Sequence, residues 1–227
     1  MMKKLLLLVF LAVGMTAYAQ KDKGKEDVYW HDGEESDWTM HLGVGVNLVT
    51  GAPDGMNFAP FKSWDIQLTV VQYDYTPVGA RQTYSIGAGL NWRNYGLKDN
   101  GSAFVKEGDQ VVLGGFPAGA GSRYSSVRTL GINIPLLFTH RFSNDFKVTL
   151  GPVVNFNAWG WVKRNYELGD SDYEVSTGKI GQRPVTVDIL GVADFAGLGV
   201  FCKYSPMSVL KTDRGPEFKS VTLGLYF

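Results

Sequence analysis

Four side chains are the natural starting points for chemistry in this chain: His31, His41, His140 and Cys202. Hydrolysis by a side-chain nucleophile needs a general base within hydrogen-bonding reach, and histidine is the usual one. A metal site needs several convergent donors, and three dispersed histidines do not supply the spacing. One cysteine excludes an intrachain disulfide and any multi-cysteine zinc or iron–sulfur centre. Glycine pairs at Gly43/Gly45, Gly87/Gly89 and Gly119/Gly121 invite a phosphate-binding reading. None completes G-x-G-x-x-G or precedes a helical pattern, so no nucleotide site is expected.

Composition narrows the class. The 227 residues carry 22 basic and 22 acidic side chains, with 28 glycines and 13% aromatics. A neutral balance gives no footprint for nucleic acid. High glycine and aromatic content with 19% charge argues against a coiled coil or a disordered chain.

Residues 1–20, MMKKLLLLVFLAVGMTAYAQ, form an address. Lys3 and Lys4 precede an apolar run from Leu5 to Val13, and Ala17-Tyr18-Ala19 is a cleavage site, so 1–19 reads as a signal peptide. The run is too short to span a hydrocarbon core, which needs about 20 apolar residues. Removal of 1–19 leaves 208 residues, with 20 basic against 22 acidic side chains. Residues 20–37 hold ten charges and no apolar periodicity, and read as a charged periplasmic leader.

From Trp38 onward the apolar residues recur at every second position, which in a strand places them on one face. Trp38, Met40, Leu42, Val44, Val46 and Leu48 are the first series. Seven more follow, in 64–75, 83–93, 129–139, 146–157, 185–189, 198–204 and 220–227. A phase slip at Val70-Val71 suggests a bulge. The intervals are 50–62, 76–80, 98–123, 141–145, 162–183, 192–196 and 206–216, alternately long and short. Short periplasmic turns and long extracellular loops are the habit of outer-membrane barrels. The opposite face is rich in Gly, Ser, Thr and Asn, with Asp65, Arg93, Lys147, Asp188 and Lys203 on it. That suits a narrow lumen in which opposite charges pair, whereas a lipocalin-like barrel would turn its apolar face inward. Trp38, Trp64, Tyr84, Trp92, Tyr204 and Phe227 fall near strand ends, as interfacial girdles do.

The last strand alternates Val221, Leu223 and Leu225 and closes on Phe227. Here the sequence resembles outer-membrane β-barrel proteins, and more narrowly the small PorT-like barrels of Bacteroidetes. The resembling segments are GLNWRNYGLK at 89–98, NIPLLF at 133–138, KYSPMSVL at 203–210 and SVTLGLYF at 220–227. The resemblance covers 38–227 and implies recognition of Phe227 by the barrel-assembly machinery. The secretion role of the name-giving members is not carried over, since a barrel pattern contains no such chemistry.

The fold expected is therefore all-β: an eight-stranded antiparallel transmembrane up-and-down β-barrel over 38–227, in the outer membrane of a Gram-negative cell. In this topology His41 and His140 lie at periplasmic strand ends, away from the lipopolysaccharide surface where barrel hydrolases work, and His31 lies in the leader. No catalytic, cofactor-binding or metal residues are assigned, and no cofactor. Cys202 reads as a small hydrophobe on the apolar face. Expected partners are outer-membrane lipid and lipopolysaccharide, the assembly machinery through Phe227, and an unidentified surface ligand or protein. The role expected is structural or surface interaction through the loops. A narrow transport pore and a soluble periplasmic lipocalin-like binder are the alternatives. For loop 98–123 two readings stand. The uncharged stretch VVLGGFPAGAGS at 111–122 would either expose Val111, Val112, Leu113 and Phe116 as a contact surface, or fold back as a lid or strand extension.

Overall fold

A computed structural model of the chain describes residues 35–99 and 101–227. The signal peptide, most of the leader and His31 lie outside the described residues. The described residues form eleven strands: β1 (Glu35–Thr50), β2 (Trp64–Thr76), β3 (Gln82–Gly96), β4 (Ser102–Glu107), β5 (Gln110–Gly115), β6 (Gly121–Arg141), β7 (Phe146–Leu168), β8 (Ser171–Gly178), β9 (Val185–Phe195), β10 (Leu198–Ser205) and β11 (Lys219–Tyr226). Eight of them, β1, β2, β3, β6, β7, β9, β10 and β11, pair in that order with antiparallel neighbours. The ring closes where β11 pairs with β1, Gly45 opposite Gly224 and Thr50 opposite Lys219. These are the eight strands expected from the alternation. The expected bulge at Val70-Val71 appears as a register shift between Thr69 and Val71 in the β2–β3 ladder.

Closure pairs each of the eight strands on both sides and leaves no open edge in the ring. It also decides which face is inside. Asp65, Gln67 and Thr69 on β2 are buried while Ile66 and Leu68 alternate with them on the outer wall. The same inversion holds round the ring: Asn91, Arg93, Asn133, Asn155, Asp188 and Lys203 are buried, and Ile86, Leu90, Ile132, Leu136, Val200 and Leu223 are 41–56% exposed. A lipocalin-like arrangement has the opposite sidedness. The apolar wall is also of membrane height. Trp64 to Tyr73 on β2 is about nine steps of ~3.3 Å, which a tilt of ~40° reduces to roughly 23 Å, against ~25 Å for the band of outer-membrane barrels.

Several boundaries differ from the sequence reading, the ends of β3 at Gly96 and β9 at Phe195 among them. Strand β1 begins at Glu35, where it pairs with Thr76, so the last residues of the charged leader belong to the barrel. Strand β7 runs on to Leu168 and folds back as β8, so interval 162–183 is mostly ladder. Strand β6 starts at Gly121, and interval 98–123 contains the β4–β5 hairpin. Both unforeseen hairpins turn on Gly-Asp, Gly108-Asp109 and Gly169-Asp170, with φ of 58° and 60° at the glycine. Only a residue without Cβ takes that conformation without strain.

The lumen is narrow enough that glycine sets what fits. A Cβ at Gly224 would meet the Val44 carbonyl and come within 2.6 Å of the Phe201 ring, and one at Gly45 would stand 2.8 Å from it. The fully buried Phe201 thus lies in a space that β1 and β11 leave by having no side chains there. Gly224→Val is expected to abolish the folded, heat-modifiable form on unboiled SDS gels. Leu223→Val, one residue away on the outer wall, is expected to leave it intact.

Candidate functional site: a charged lumen under a folded cap

Asp65, Arg93, Asp188 and Lys203 converge inside the barrel. Arg93 donates from Nη2 to Asp188 Oδ2, and its Nε stands 3.5 Å from Asp65 Oδ2. Lys203 Nζ reaches Asp65 Oδ2 at 2.8 Å and Gln67 Oε1 at 3.2 Å. Asn91 donates to Asp65 Oδ1 at 3.0 Å, and Asn155 to Asp188 Oδ2 at 2.9 Å. Two cations and two carboxylates, all within 3% of full burial, balance with no net charge. Four different strands supply them, so the network exists only in the closed ring. Lys147, expected on the same face, remains half-buried at the short-turn end opposite Asp194 and does not join it.

Apolar groups close the lumen on both sides of the network. Toward the short turns, Leu137, Val153, Leu190, Val192, Phe201 and Tyr226 form one cluster. Toward the long loops, Tyr95 stands two residues beyond Arg93 at the base of a second cluster, with Phe104 and Val111 from the hairpin and Leu210 and Phe218 from 206–218. Val127, Val162 and Ile180 complete its walls. This cap corrects the exposed-patch reading of loop 98–123. Val111 is 1% exposed, Leu113 packs against the cluster, and Phe116 meets Tyr166 edge to face at 5.9 Å. The alternative reading, a segment folded back as a lid, is the one observed. Side chains fill the narrow interior on both sides of the charge network, as the width of an eight-stranded barrel allows.

Polar ties hold the hairpin down. Val111 donates its N–H to the Arg214 carbonyl at 2.7 Å, and Gln110 Nε2 donates to the Asp213 carbonyl at 3.1 Å. Arg214 Nη1 meets Asp109 Oδ2 at 2.8 Å, and this hydrogen bond holds the Asp109 carboxyl below its ordinary range.

The residues singled out for chemistry are placed as follows. His41 Nε2 stands 3.1 Å from Thr39 Oγ1, and that hydroxyl donates to Asp74 at 2.8 Å. The hydroxyl thus lies between base and acid, whereas a nucleophile–His–acid relay needs the imidazole in the middle. His41 also stacks on Tyr226 at 5.2 Å. His140 Nδ1 stands 3.2 Å from Gln82 Nε2 and packs on Phe142. Cys202 is on the exposed outer wall and Lys203 on the buried inner one, so adjacency in sequence brings them no contact. Among the described residues no group of three His, Cys, Asp or Glu side chains is placed to hold a metal ion. Phe227 exchanges both backbone hydrogen bonds with Leu42 at 2.9 Å, extending the β1–β11 seam to the last residue.

No family model matches the sequence, and no curated protein matches it. Among solved structures, Neisserial surface protein A (NspA) aligns with a TM-score of 0.42 at 10% identity, covering 85% of this chain and 96% of that one. The attachment invasion locus protein Ail of Yersinia pestis aligns with a TM-score of 0.36 at 12% identity, covering 86% and 99%.

Two predictions follow from this geometry. Arg93→Met leaves Asp188 and Asp65 short of a counter-charge in a buried site, which is expected to cost about 3–5 kcal/mol in urea unfolding of the reconstituted protein. Adding Asp188→Asn to that variant is expected to recover part of the loss. The Asp109–Arg214 tie follows the sign of a depressed carboxyl. Its contribution is present above the ordinary aspartate range, near 3.8, and fades as pH falls through the lower folded value. Hydrogen exchange of the hairpin amides, corrected for intrinsic rate, is therefore expected to stay flat from pH 8 to about 5 and to rise below about 4. In Asp109→Asn that acid-dependent rise is expected to disappear.

Proposed function

We propose that the chain is exported, inserted in the outer membrane of a Gram-negative cell, and works there as a non-catalytic surface-interaction protein. The single observation that carries this reading is the sidedness of a closed sheet. Its outward residues form an apolar wall of membrane height, while its lumen holds paired charges. In water such a wall would be an exposed apolar surface far beyond what soluble monomers tolerate. A barrel with its lumen filled offers no pocket to a substrate there, so specificity falls to the cap and the β6–β7–β8 extension on the long-loop side.

Within that class we place the chain beside the PorT-like small barrels, on the segments 89–98, 133–138, 203–210 and 220–227, without their secretion role. Phe227 acts as the assembly signal. It directly follows the strand that closes the ring and pairs with Leu42, and the apolar series Leu223, Leu225 and Phe227 is what an assembly factor would read before closure.

Membrane fractionation with unboiled and boiled SDS gels tests the location. The expected result is recovery in the outer membrane with a heat-dependent mobility shift. A monodisperse monomer in detergent-free buffer would overturn it. A tag inserted at Gly169 should be labelled on intact cells and one at Asn144 should not; labelling of Asn144 alone would invert the topology. Deletion of Phe227 should lower the amount assembled, whereas Lys219→Gln at the far end of the same strand should not.

A further inference from the structure

The sequence has six tryptophans, and four of them gather on one stretch of the outer wall. Two rows of directly paired residues run across β2, β3, β6 and β7 there. The row nearer the membrane centre is Ile66–Trp92–Leu130–Trp159, and the next is Trp64–Asn94–Arg128–Trp161. Trp64 and Trp92 meet edge to face at 4.8 Å, and Trp159 is 61% exposed. Tryptophan collects at the boundary between acyl chains and headgroups. Arg128, flanked in its own row by Asn94 and Trp161, therefore stands at headgroup level.

That cation is held in place. Arg128 Nε donates to Asn94 Oδ1 at 2.8 Å and to Ser126 Oγ at 3.3 Å, which leaves the terminal nitrogens of the guanidinium to face other groups. The fully buried Asn94 also binds the neighbouring chain, its Nδ2 donating to the Lys62 carbonyl at 2.5 Å. Lys62 Nζ lies 5.8 Å over the Tyr124 ring. Neither Arg128 nor Lys62 forms a salt bridge among the described residues; the nearby Arg123 and Lys163 are held by Asp99 and Glu174 at 2.8 and 2.7 Å, and Glu174 also feels the charge of Arg128. A groove lined by Phe61, Lys62, Trp64, Tyr124 and the Asp99–Arg123 pair opens beside Lys62, and Phe61 is 96% exposed. The buried Asn94 thus fixes the Arg128 guanidinium through its side chain and the Lys62 segment through its backbone, above a tryptophan-rich apolar surface.

We propose that this wall binds a phosphorylated lipid of the outer leaflet, with the phosphate on Arg128 and Lys62 and the acyl chains against Trp64, Trp92 and Trp159. The occupant is a lipid because the cations adjoin the apolar band; a free phosphate would have no use for the tryptophans, and a protein partner would have to lie within the leaflet. Arginine suits the phosphate through its planar set of donors. The proposal rests on the barrel being membrane-inserted as proposed above.

Native mass spectrometry of the protein in neutral detergent tests it, with diphosphorylated lipid A as the probe. Dephosphorylated lipid A and inorganic phosphate serve as comparisons. The expected result is a one-to-one lipid adduct that the dephosphorylated lipid forms at least tenfold more weakly and that millimolar inorganic phosphate does not displace. Lys62→Gln with Arg128→Gln should lose the adduct about tenfold while keeping the heat-dependent gel shift. Lys106→Gln in the hairpin should bind as the wild type does. Equal binding of both lipids by the wild type, or displacement by free phosphate, overturns the site whether or not the variants fold. A preserved gel shift in that case shows that the membrane barrel itself stands.

Discussion

Two carboxylates and two cations share a lumen that has no room for bulk solvent, and each is tolerable only because the others are present. Asp65 and Arg93 come from neighbouring strands, but Asp188 and Lys203 reach them from the far side of the ring. Taking a single ion out of water costs several kcal/mol, so no part of this set is stable before the sheet closes. The pairing therefore does more than fill space. It ties the correct closure of β11 on β1 to the neutralisation of the interior, since any other register would leave a buried charge alone. The network specifies one ring among the possible ones, a role for buried ion pairs that apolar side chains fill less well.

The rest of the lumen is arranged around that centre. Apolar residues close it on the short-turn side, where Phe201 occupies the gap left by Gly45 and Gly224. On the other side the cap covers it, with Tyr95 linking lumen to cap. The hairpin β4–β5 earns its place by burying Phe104 and Val111 and by tying Asp109 to Arg214. One apolar cluster both covers the lumen and anchors the loops that form the lid.

The outer wall follows a different rule from the lumen. Inside, charges cancel within the protein. Outside, at the level of Trp64 and Trp161, Arg128 and Lys62 form no salt bridge, and the buried Asn94 ties the Arg128 side chain to the backbone of the Lys62 segment. Charge held in this way beside an apolar band is what the proposed lipid site would use.

The sequence alone determined the eight strands, the bulge at Val70-Val71 and the alternation of long and short connections, because a two-residue side-chain period and turn chemistry are local properties. It also placed Asp65, Arg93, Asp188 and Lys203 on one face, since that follows from phase. The Gly-Asp turns at 108–109 and 169–170 were legible signals that the alternation of the main strands overshadowed; the segments around them are short or polar, and the period is weak there. Which charges meet was decided only by the ring, because pairing across the lumen depends on closure and register, not on spacing along a strand. The same holds for Val111, whose exposure in an uncharged stretch was a fair expectation until the loop found Phe104, Leu210 and Phe218 to pack against. Asn94 shows the limit most clearly. Nothing in its neighbours along the chain marks it, and it gained its two partners only when β3 was set between β6, which carries Arg128, and the turn at 60–62, which carries Lys62.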